Sequence, residues 1–376
     1  MKYRLLEVAD LYDAYVQQLG CARDDMSYEQ LHRRVLDDCY SESDYIHRYL
    51  REDYDLDTMH IYYNYQDLQR RWDDEEDKDS FSILLRQIKA FQPDVILVLN
   101  LWFFTVDQIN VIRNTLKKEV HFVCYHFTAI DEHVKKVFKE YEIVFTGSNY
   151  WAKVTGEFSN NVVVVRHAFE PGILHKIGAP SRSNRVCFAG SIMLGGGVHT
   201  NRIDLLSAFR KNEIDFDYYG KIYGSLLGPR NFVKNITTNP KKYLERIKTS
   251  TYVKRICRPS VFGLTYYKTL QNYAINLNIH AEVAASGAGN QRMFEVTGVG
   301  SCLITDYRDE NVLLFEEGKE IVVFRNEDEL VDKVKFLLQH PDVADKIGEE
   351  GQKRTIKDHN YRNKAHSMHE YILKVL

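Results

Sequence analysis

Short apolar, β-branched runs alternate with stretches of helical periodicity along almost the whole chain of 376 residues. In the first half these runs predict strands at residues 3–8, 59–63, 95–99, 121–125, 143–145 and 162–165. The stretch SFSILLRQIKAF reads as an amphipathic helix that must end before Pro93, because proline lacks the amide hydrogen that would continue it. In the second half the rhythm returns at residues 185–189, 214–219, 274–279, 301–305 and 321–324, with fresh glycine-rich turns. Strands separated by helices pair in parallel and are covered by their crossover helices, so the pattern predicts an α/β protein with two doubly wound, Rossmann-like sheets.

Length points the same way, since a single hydrophobic core usually stops growing below this size. The join falls in EPGILHKIGAPSRSNR, residues 170–185, where prolines, glycines and serines interrupt the apolar rhythm. The expected layout is an N-terminal domain over residues 1–170, a hinge over 171–185, a C-terminal domain over 186–355 and a terminal helix over 356–376. In NEDELVDKVKFLLQHP, Asn326 is placed to cap a helix with Glu329 three residues on, and Leu330, Val334, Leu337 and Leu338 share one face. The acidic run WDDEEDKD, residues 72–79, has no glycine at a loop turn and reads as a solvated linker in preference to a metal site.

Composition narrows the class further. Hydrophobic residues make up 44% and charged residues 27%, and 25 Tyr and 19 Phe supply large surfaces for cores and stacking, so disorder is not indicated. The six cysteines stand singly, several inside apolar runs such as HFVCYHF, which fits small buried hydrophobes in a reducing compartment. A net charge of −3 gives no general attraction to nucleic acid. The basic stretch KKYLERIKTSTYVKRICR, residues 241–258, reads as a solvated helix face, with contact to an anionic membrane or substrate as the alternative. The acidic start and the lack of any apolar run of transmembrane length lead to the expectation of a cytoplasmic protein, with peripheral membrane contact left open.

Candidate chemistry concentrates in NLNIHAEVAASGAGNQRMFEVTGVGSCLITDY, where a strand runs into a small-residue loop and then a short helix. Backbone amides of Gly287, Gly289 and the helix start can hold phosphate oxygens there, and Arg292 adds a planar, permanently charged fork. Glu295 would project to the same edge and accept hydrogen bonds from both hydroxyls of a ribose; the alternative for Arg292 and Glu295 is an exposed i, i+3 ion pair. In FAGSIMLGGGVHTNR the strand ends at Gly190, Gly195–Gly197 form either a flexible loop or a phosphate cradle, and Arg202 opens the following helix. Lys221, directly after DFDYYG, offers a further cation. The triplet Asp215–Asp217 looks like a metal-binding DXD, but lies within a strand and does not read as a metal site. In the first half His126, Asp131 and His133 follow a strand end, where a general base for an acceptor hydroxyl is expected; His126 and Asp131 are the catalytic candidates. His167 reads as a capping or packing residue before the join.

The second half resembles the C-terminal domain of GT-B glycosyltransferases, in the branch related to the spore-coat protein CgeB and the group 1 transferases. The residues that carry this are FAGS at Phe188, INLNIH ending at His280, NQRMFEVTGVGSCLITD over residues 290–306, LLFEEGKEIVVF, and the terminal pattern through IGEEG, His359 and Tyr361. SYEQLHRR, YNYQDLQRRW and ILLRQIKAFQPDVILVLN fall where that family's N-terminal domain has comparable segments. The resemblance implies two Rossmann-like domains facing a central cleft, a nucleotide-diphosphate sugar as donor, a saccharide, lipid-linked saccharide or other hydroxyl acceptor, no obligatory cofactor or metal, and a last helix crossing back to the first domain. With it, the donor-binding candidates are Gly190, Ser191, Arg202, Lys221, His280, Gly289, Asn290, Arg292 and Glu295, of which Glu295 matches the family's nucleotide-binding glutamate, and the expected setting is bacterial surface polysaccharide or glycoconjugate synthesis. Many retaining members carry two glutamates separated by seven residues, and the earlier position, counting back from Glu295, is Gly287 here, so the resemblance leaves retaining or inverting chemistry open. A sugar-nucleotide epimerase or phosphorylase, or a noncatalytic sugar-binding or assembly protein, remains compatible with the same fold.

Overall fold

The computed structural model describes residues 2–20, 25–73, 75–77, 79–194, 198–226 and 239–376. It divides into two compact units, Met1–His167 with Asn360–Leu376, and Ala168–His359.

The first unit is built on β1 (Arg4–Ala9), β2 (Asp57–Tyr62), β3 (Val95–Val98), β4 (His121–Tyr125), β5 (Ile143–Thr146) and β6 (Val162–Val164). They form one parallel sheet in the order β2-β1-β3-β4-β5-β6, with Leu6 between Met59 and Ile96 in register. All four residues of β3 are buried, as expected of a strand covered on both faces. The helix Ser80–Phe91 starts where the Asp79 carboxylate accepts from the amides of Phe81 and Ser82, and stops at Gln92 in the left-handed region, one residue before Pro93. Asp73 accepts from Nε of Arg86 at 2.6 Å, so part of the acidic run is structural; Asp74 and Lys78 of that run lie outside the described residues. The C-terminal helix Tyr361–Ile372 packs on the helix Tyr45–Tyr54 within this unit. Lys364 Nζ reaches Glu42 Oε1 at 2.7 Å and Tyr3 Oη meets His369 Nδ1 at 2.9 Å.

The second unit contains β7 (Ser183–Ala189), β8 (Ile192–Met193), β9 (Phe216–Tyr219), β10 (Ile222–Tyr223), β11 (Cys257–Arg258), β12 (Tyr273–Asn278), β13 (Cys302–Asp306) and β14 (Val322–Phe324). Its main sheet is parallel in the order β11-β9-β7-β12-β13-β14, while β8 and β10 pair beside it. The two-residue strands are absent from the sequence reading because two residues carry no periodicity. Within residues 170–185 the chain makes a helix, Ile173–Ile177, tied to the helix Gly263–Gln271 by Lys268 Nζ to Ile177 O at 3.2 Å and Gln271 Nε2 to Gly178 O at 3.1 Å. Asn326 caps the helix Glu327–Gln339 by accepting from the Glu329 amide. Both sheets therefore have a point where successive connections turn from one side to the other: between β1 and β3, and between β7 and β12.

Candidate functional site

In open α/β sheets the crevice beyond the carboxyl ends of the strands at such a turning point is where ligands bind. In the second unit those ends are Ala189-Gly190-Ser191 after β7 and Ile279-His280 after β12. Gly190 lies against two guanidinium groups at once: a Cβ built on it would meet Arg292 Nη2 at 3.2 Å and Arg202 Nη1 at 3.3 Å. A side chain there would press on both, and φ of 157° at this position also favours glycine.

Arg202 opens the helix Arg202–Lys211 and is 4% exposed. Its Nη1 donates to Ser191 O at 2.7 Å and its Nη2 to Ile279 O at 2.9 Å, tying together the ends of β7 and β12, while its Nε has no partner among the described residues. Burial and the adjacent Arg292 pull the Arg202 guanidinium down to about 9, an unfavourable setting for a group that stays charged at neutral pH. Arg292 Nε is likewise buried without a partner, and among the described residues neither guanidinium has a carboxylate within ion-pair distance. Arg202 is buried and Arg292 half-buried; Glu282 and Asp306 favour the Arg202 charge from beyond ion-pair distance, and an anion between the two guanidinium groups would offset their mutual repulsion.

Further polar side chains lie around the two guanidinium groups. The Glu282 carboxylate accepts from the Asn201 amide at 2.7 Å and from Thr200 Oγ1 at 2.9 Å, closing the start of the Arg202 helix where Asn201 itself makes no side-chain cap. His280, 1% exposed, holds Asp306 Oδ1 through Nδ1 at 2.8 Å and through its amide at 2.9 Å, and its Nε2 has no partner. Burial works to raise the Asp306 carboxyl, but the His280 hydrogen bond and charge and the Arg308 guanidinium hold it below its usual range. Gly289 is buried, with φ of 91°, and Asn290 Nδ2 donates to Asn278 Oδ1 at 2.9 Å just before the helix Gln291–Gly298. That helix opens without a side-chain cap.

Glu295 is 8% exposed and accepts from the Tyr266 hydroxyl at 2.7 Å. Burial raises its carboxyl above the ordinary value, against the pull of Tyr266 and Arg292. An exposed i, i+3 ion pair is thus not the arrangement of Arg292 and Glu295, since the carboxylate is buried and turned to a phenol. Lys221 is exposed beyond β9 on the same sheet edge, its ammonium 5.5 Å from the Tyr223 ring, and no hydrogen bond joins it to the two arginines. Gly195–Gly197 lie outside the described residues. Asp217 is held by Arg185 and Arg258 at 3.0 and 2.7 Å and by the Tyr273 hydroxyl at 2.8 Å, which uses its carboxylate within the fold.

A cavity of about 390 Å³ opens nearby between Asn201, Lys242, Asp306 and Arg325. Its cations are already matched: Lys242 with Asp204, Arg308 with Asp306, Arg325 with Glu317. The two guanidinium groups at Gly190, by contrast, have no ion-pair partner among the described residues. Much of the basic helix Pro240–Ile256 is similarly matched, Arg246 and Lys242 by Asp204 and Lys248 by Glu245. Among the described residues no helix is long and apolar enough to cross a membrane, and no cluster of three or more His, Cys, Asp or Glu side chains is arranged to hold a metal ion.

In the first unit His126 is 3% exposed, with Nε2 3.1 Å from Thr128 O, and burial lowers it to about 4. Asp131 accepts from the Val134 amide at 2.8 Å and from Trp102 Nε1 at 2.8 Å, capping the helix Glu132–Val137. Both stand at the carboxyl edge after β4, each engaged in local structure, and no hydrogen bond joins them. His167, 1% exposed, lies 3.5 Å from the Glu42 carboxylate inside this unit. Tyr266, Glu282 and Asp306 were not singled out from the sequence as site residues. Only Asp306 had a usable signal, its position at the end of a predicted strand; Tyr266 and Glu282 reach the site through tertiary contacts.

Comparison with known proteins adds to this geometry. Residues 202–370 match the glycosyl transferase-like family. No curated protein matches the chain. Among solved structures, HepE from Anabaena, in complex with UDP and glucose, superposes with a TM-score of 0.58 at 8% identity, covering 99% of this chain and 100% of its own. Sucrose-phosphate synthase from Thermosynechococcus elongatus gives 0.55 at 9% identity, covering 100% and 99%. A glycosyltransferase from Rickettsia africae gives 0.52 at 12% identity, covering 98% and 97%. At such identities these likenesses establish the fold, two parallel-sheet α/β domains of the GT-B class.

Proposed function

We propose that the chain is a glycosyltransferase whose second unit binds a nucleotide-diphosphate sugar at the Gly190 pocket. The observation that carries this is the buried Arg202 and half-buried Arg292 guanidinium groups converging on Gly190, each Nε without a hydrogen-bond partner among the described residues. A diphosphate supplies the missing charge, and the open end of the helix Gln291–Gly298 adds amides to it. The family match over residues 202–370 and the UDP and glucose held by HepE support the same assignment.

In this reading the guanidinium groups, not a metal ion, offset charge that builds on the leaving diphosphate as the bond to the sugar breaks. Such preorganised donors in a buried site lower the barrier because they need no reorganisation when the charge appears. Glu295 takes the nucleoside ribose, and His280 and Asn290 add polar contacts at the rim. The acceptor belongs to the first unit, with His126 and Asp131 as the residues to probe for a base. A saccharide or lipid-linked saccharide acceptor, a role in surface polysaccharide or glycoconjugate synthesis and a place in the cytoplasm belong to this proposal.

The test is a thermal-shift and calorimetric screen of UDP, GDP, CDP and dTDP and their sugars, followed by product mass with candidate acceptors. At least one nucleotide is expected to raise the melting temperature, because it binds only the folded state. Arg202→Met and Arg292→Met are each expected to weaken that binding at least tenfold, about 1.4 kcal/mol. A folded protein that binds none of these nucleotides overturns the proposal, and an isomerised sugar nucleotide as product assigns the site to an epimerase.

A further inference from the structure

Glu295 does not stand alone at the end of the pocket. The hydroxyl of Tyr266, on the helix Gly263–Gln271, donates to Glu295 Oε2 at 2.7 Å, and the helices carrying the two residues pack together. Arg292, one turn before Glu295 on its own helix, is the cation whose guanidinium meets Gly190. Tyr266 thus adjoins both the acidic and the cationic side chains of the proposed donor site, and it comes from a different helix.

We infer that Tyr266 is a positioning residue that fixes the Glu295 carboxylate, as an acceptor, for the ribose diol of the bound nucleotide. The inference rests on the donor-site reading above and goes beyond it by naming what makes a buried carboxylate usable. A carboxylate that is 8% exposed pays a desolvation cost that favours the neutral acid, and an acid's hydroxyl would compete as a donor with the ribose hydroxyls. A phenol donating to one oxygen favours the charged form and fixes the rotamer, leaving acceptor capacity on the other oxygen. Burial does raise the Glu295 carboxyl, and the two groups that oppose the rise are Tyr266 and Arg292. Among the described residues these are the charged or titratable groups that face Glu295, one from the helix Gly263–Gln271 and one from its own helix; the packed strands β12 and β13 and the helix Pro341–Asp358 bring no other to bear on it.

The carboxylate is the competent form, so the ribose contribution to binding is present above the raised Glu295 value and lost as pH falls through it. Removing the phenol hydroxyl moves that loss to higher pH.

The experiment compares UDP with 2′-deoxy-UDP, and GDP with 2′-deoxy-GDP, by calorimetry on the full chain between pH 5.5 and 8.5, for the unaltered protein, Tyr266→Phe, Glu295→Gln and the double variant. Taking the ratio of ribo to deoxyribo affinity cancels the titration of the diphosphate itself. The unaltered protein is expected to prefer the ribonucleotide by about tenfold or more, with the preference declining toward acid. Tyr266→Phe should shrink the preference severalfold and shift its decline upward in pH, and the double variant should lose no more than Glu295→Gln does. A preference and pH profile unchanged in Tyr266→Phe overturn the inference while leaving the donor site standing. Absence of any nucleotide binding overturns both, and equal thermal unfolding of the free proteins excludes a folding defect as the cause.

Discussion

At the residue scale the pocket turns on one absent side chain. Gly190 follows β7 directly, and the atoms that a Cβ there would meet are the guanidinium ends of two flexible side chains. Gly190→Ala should fold with a lowered melting temperature, because φ is 157° at this position, while the arginines are pushed off their positions. Calorimetry with the best-binding nucleoside diphosphate is expected to read a loss of about tenfold, or roughly 1.4 kcal/mol. Unchanged affinity would mean that these guanidinium groups do not meet the diphosphate. The sequence presented Gly190, Arg202 and Arg292 as separate candidates, with about a hundred residues between the first and the last. Their convergence follows from β7 and β12 being neighbours in the sheet, with residues 188 and 277 in register.

At the element scale the C-terminal helix is a structural member of the first unit. Lys364 and Glu42 are both buried, and the ammonium also sits 3.9 Å from the centre of the Tyr125 ring. Burial pushes the Glu42 carboxyl up, but Lys364 and His167 hold it down at about 2. Removing one partner of a buried pair leaves the other charge uncompensated, which typically costs about 3–5 kcal/mol. Lys364→Met should accordingly lower the stability of the first unit by that order in urea unfolding, and Lys364→Met with Glu42→Gln should recover part of it. A single variant as stable as the parent would show that the pair contributes nothing. The helix itself is legible in the sequence from its apolar spacing, but its partner is not, because 322 residues separate Lys364 from Glu42.

At the scale of the whole molecule the two units differ in their buried histidines. In the first, burial lowers His32 and His126 to about 4, His60 well below its ordinary value, and His167 as well. In the second, among the described residues, burial and Arg202 lower His199 to about 4. A histidine that refuses a proton when folded but accepts one when unfolded lowers stability as pH falls from about 6.5, its unfolded value, toward its folded one. Glu42 acts further down, its contribution being lost as pH drops from about 4.5 toward 2. Hydrogen exchange, corrected for intrinsic rates, should then show β1 to β6 losing more protection than β7 to β14 between pH 7 and pH 5. Added nucleotide should protect the second unit. Equal losses in both units would contradict the assignment of acid sensitivity to these histidines.

The sequence by itself determined the class of fold and most of its strands, because a period of two against a period of 3.6 is a local property that apolar spacing records directly. It also marked glycine-rich strand ends and their arginines as places where phosphate chemistry fits. Tertiary structure alone decided strand order, and with it which ends lie side by side: Gly190 beside Ile279, Asp306 beneath His280, Tyr266 on Glu295. Such contacts depend on chain crossings between distant segments, and a burial or a missing counter-ion exists only once those segments have met.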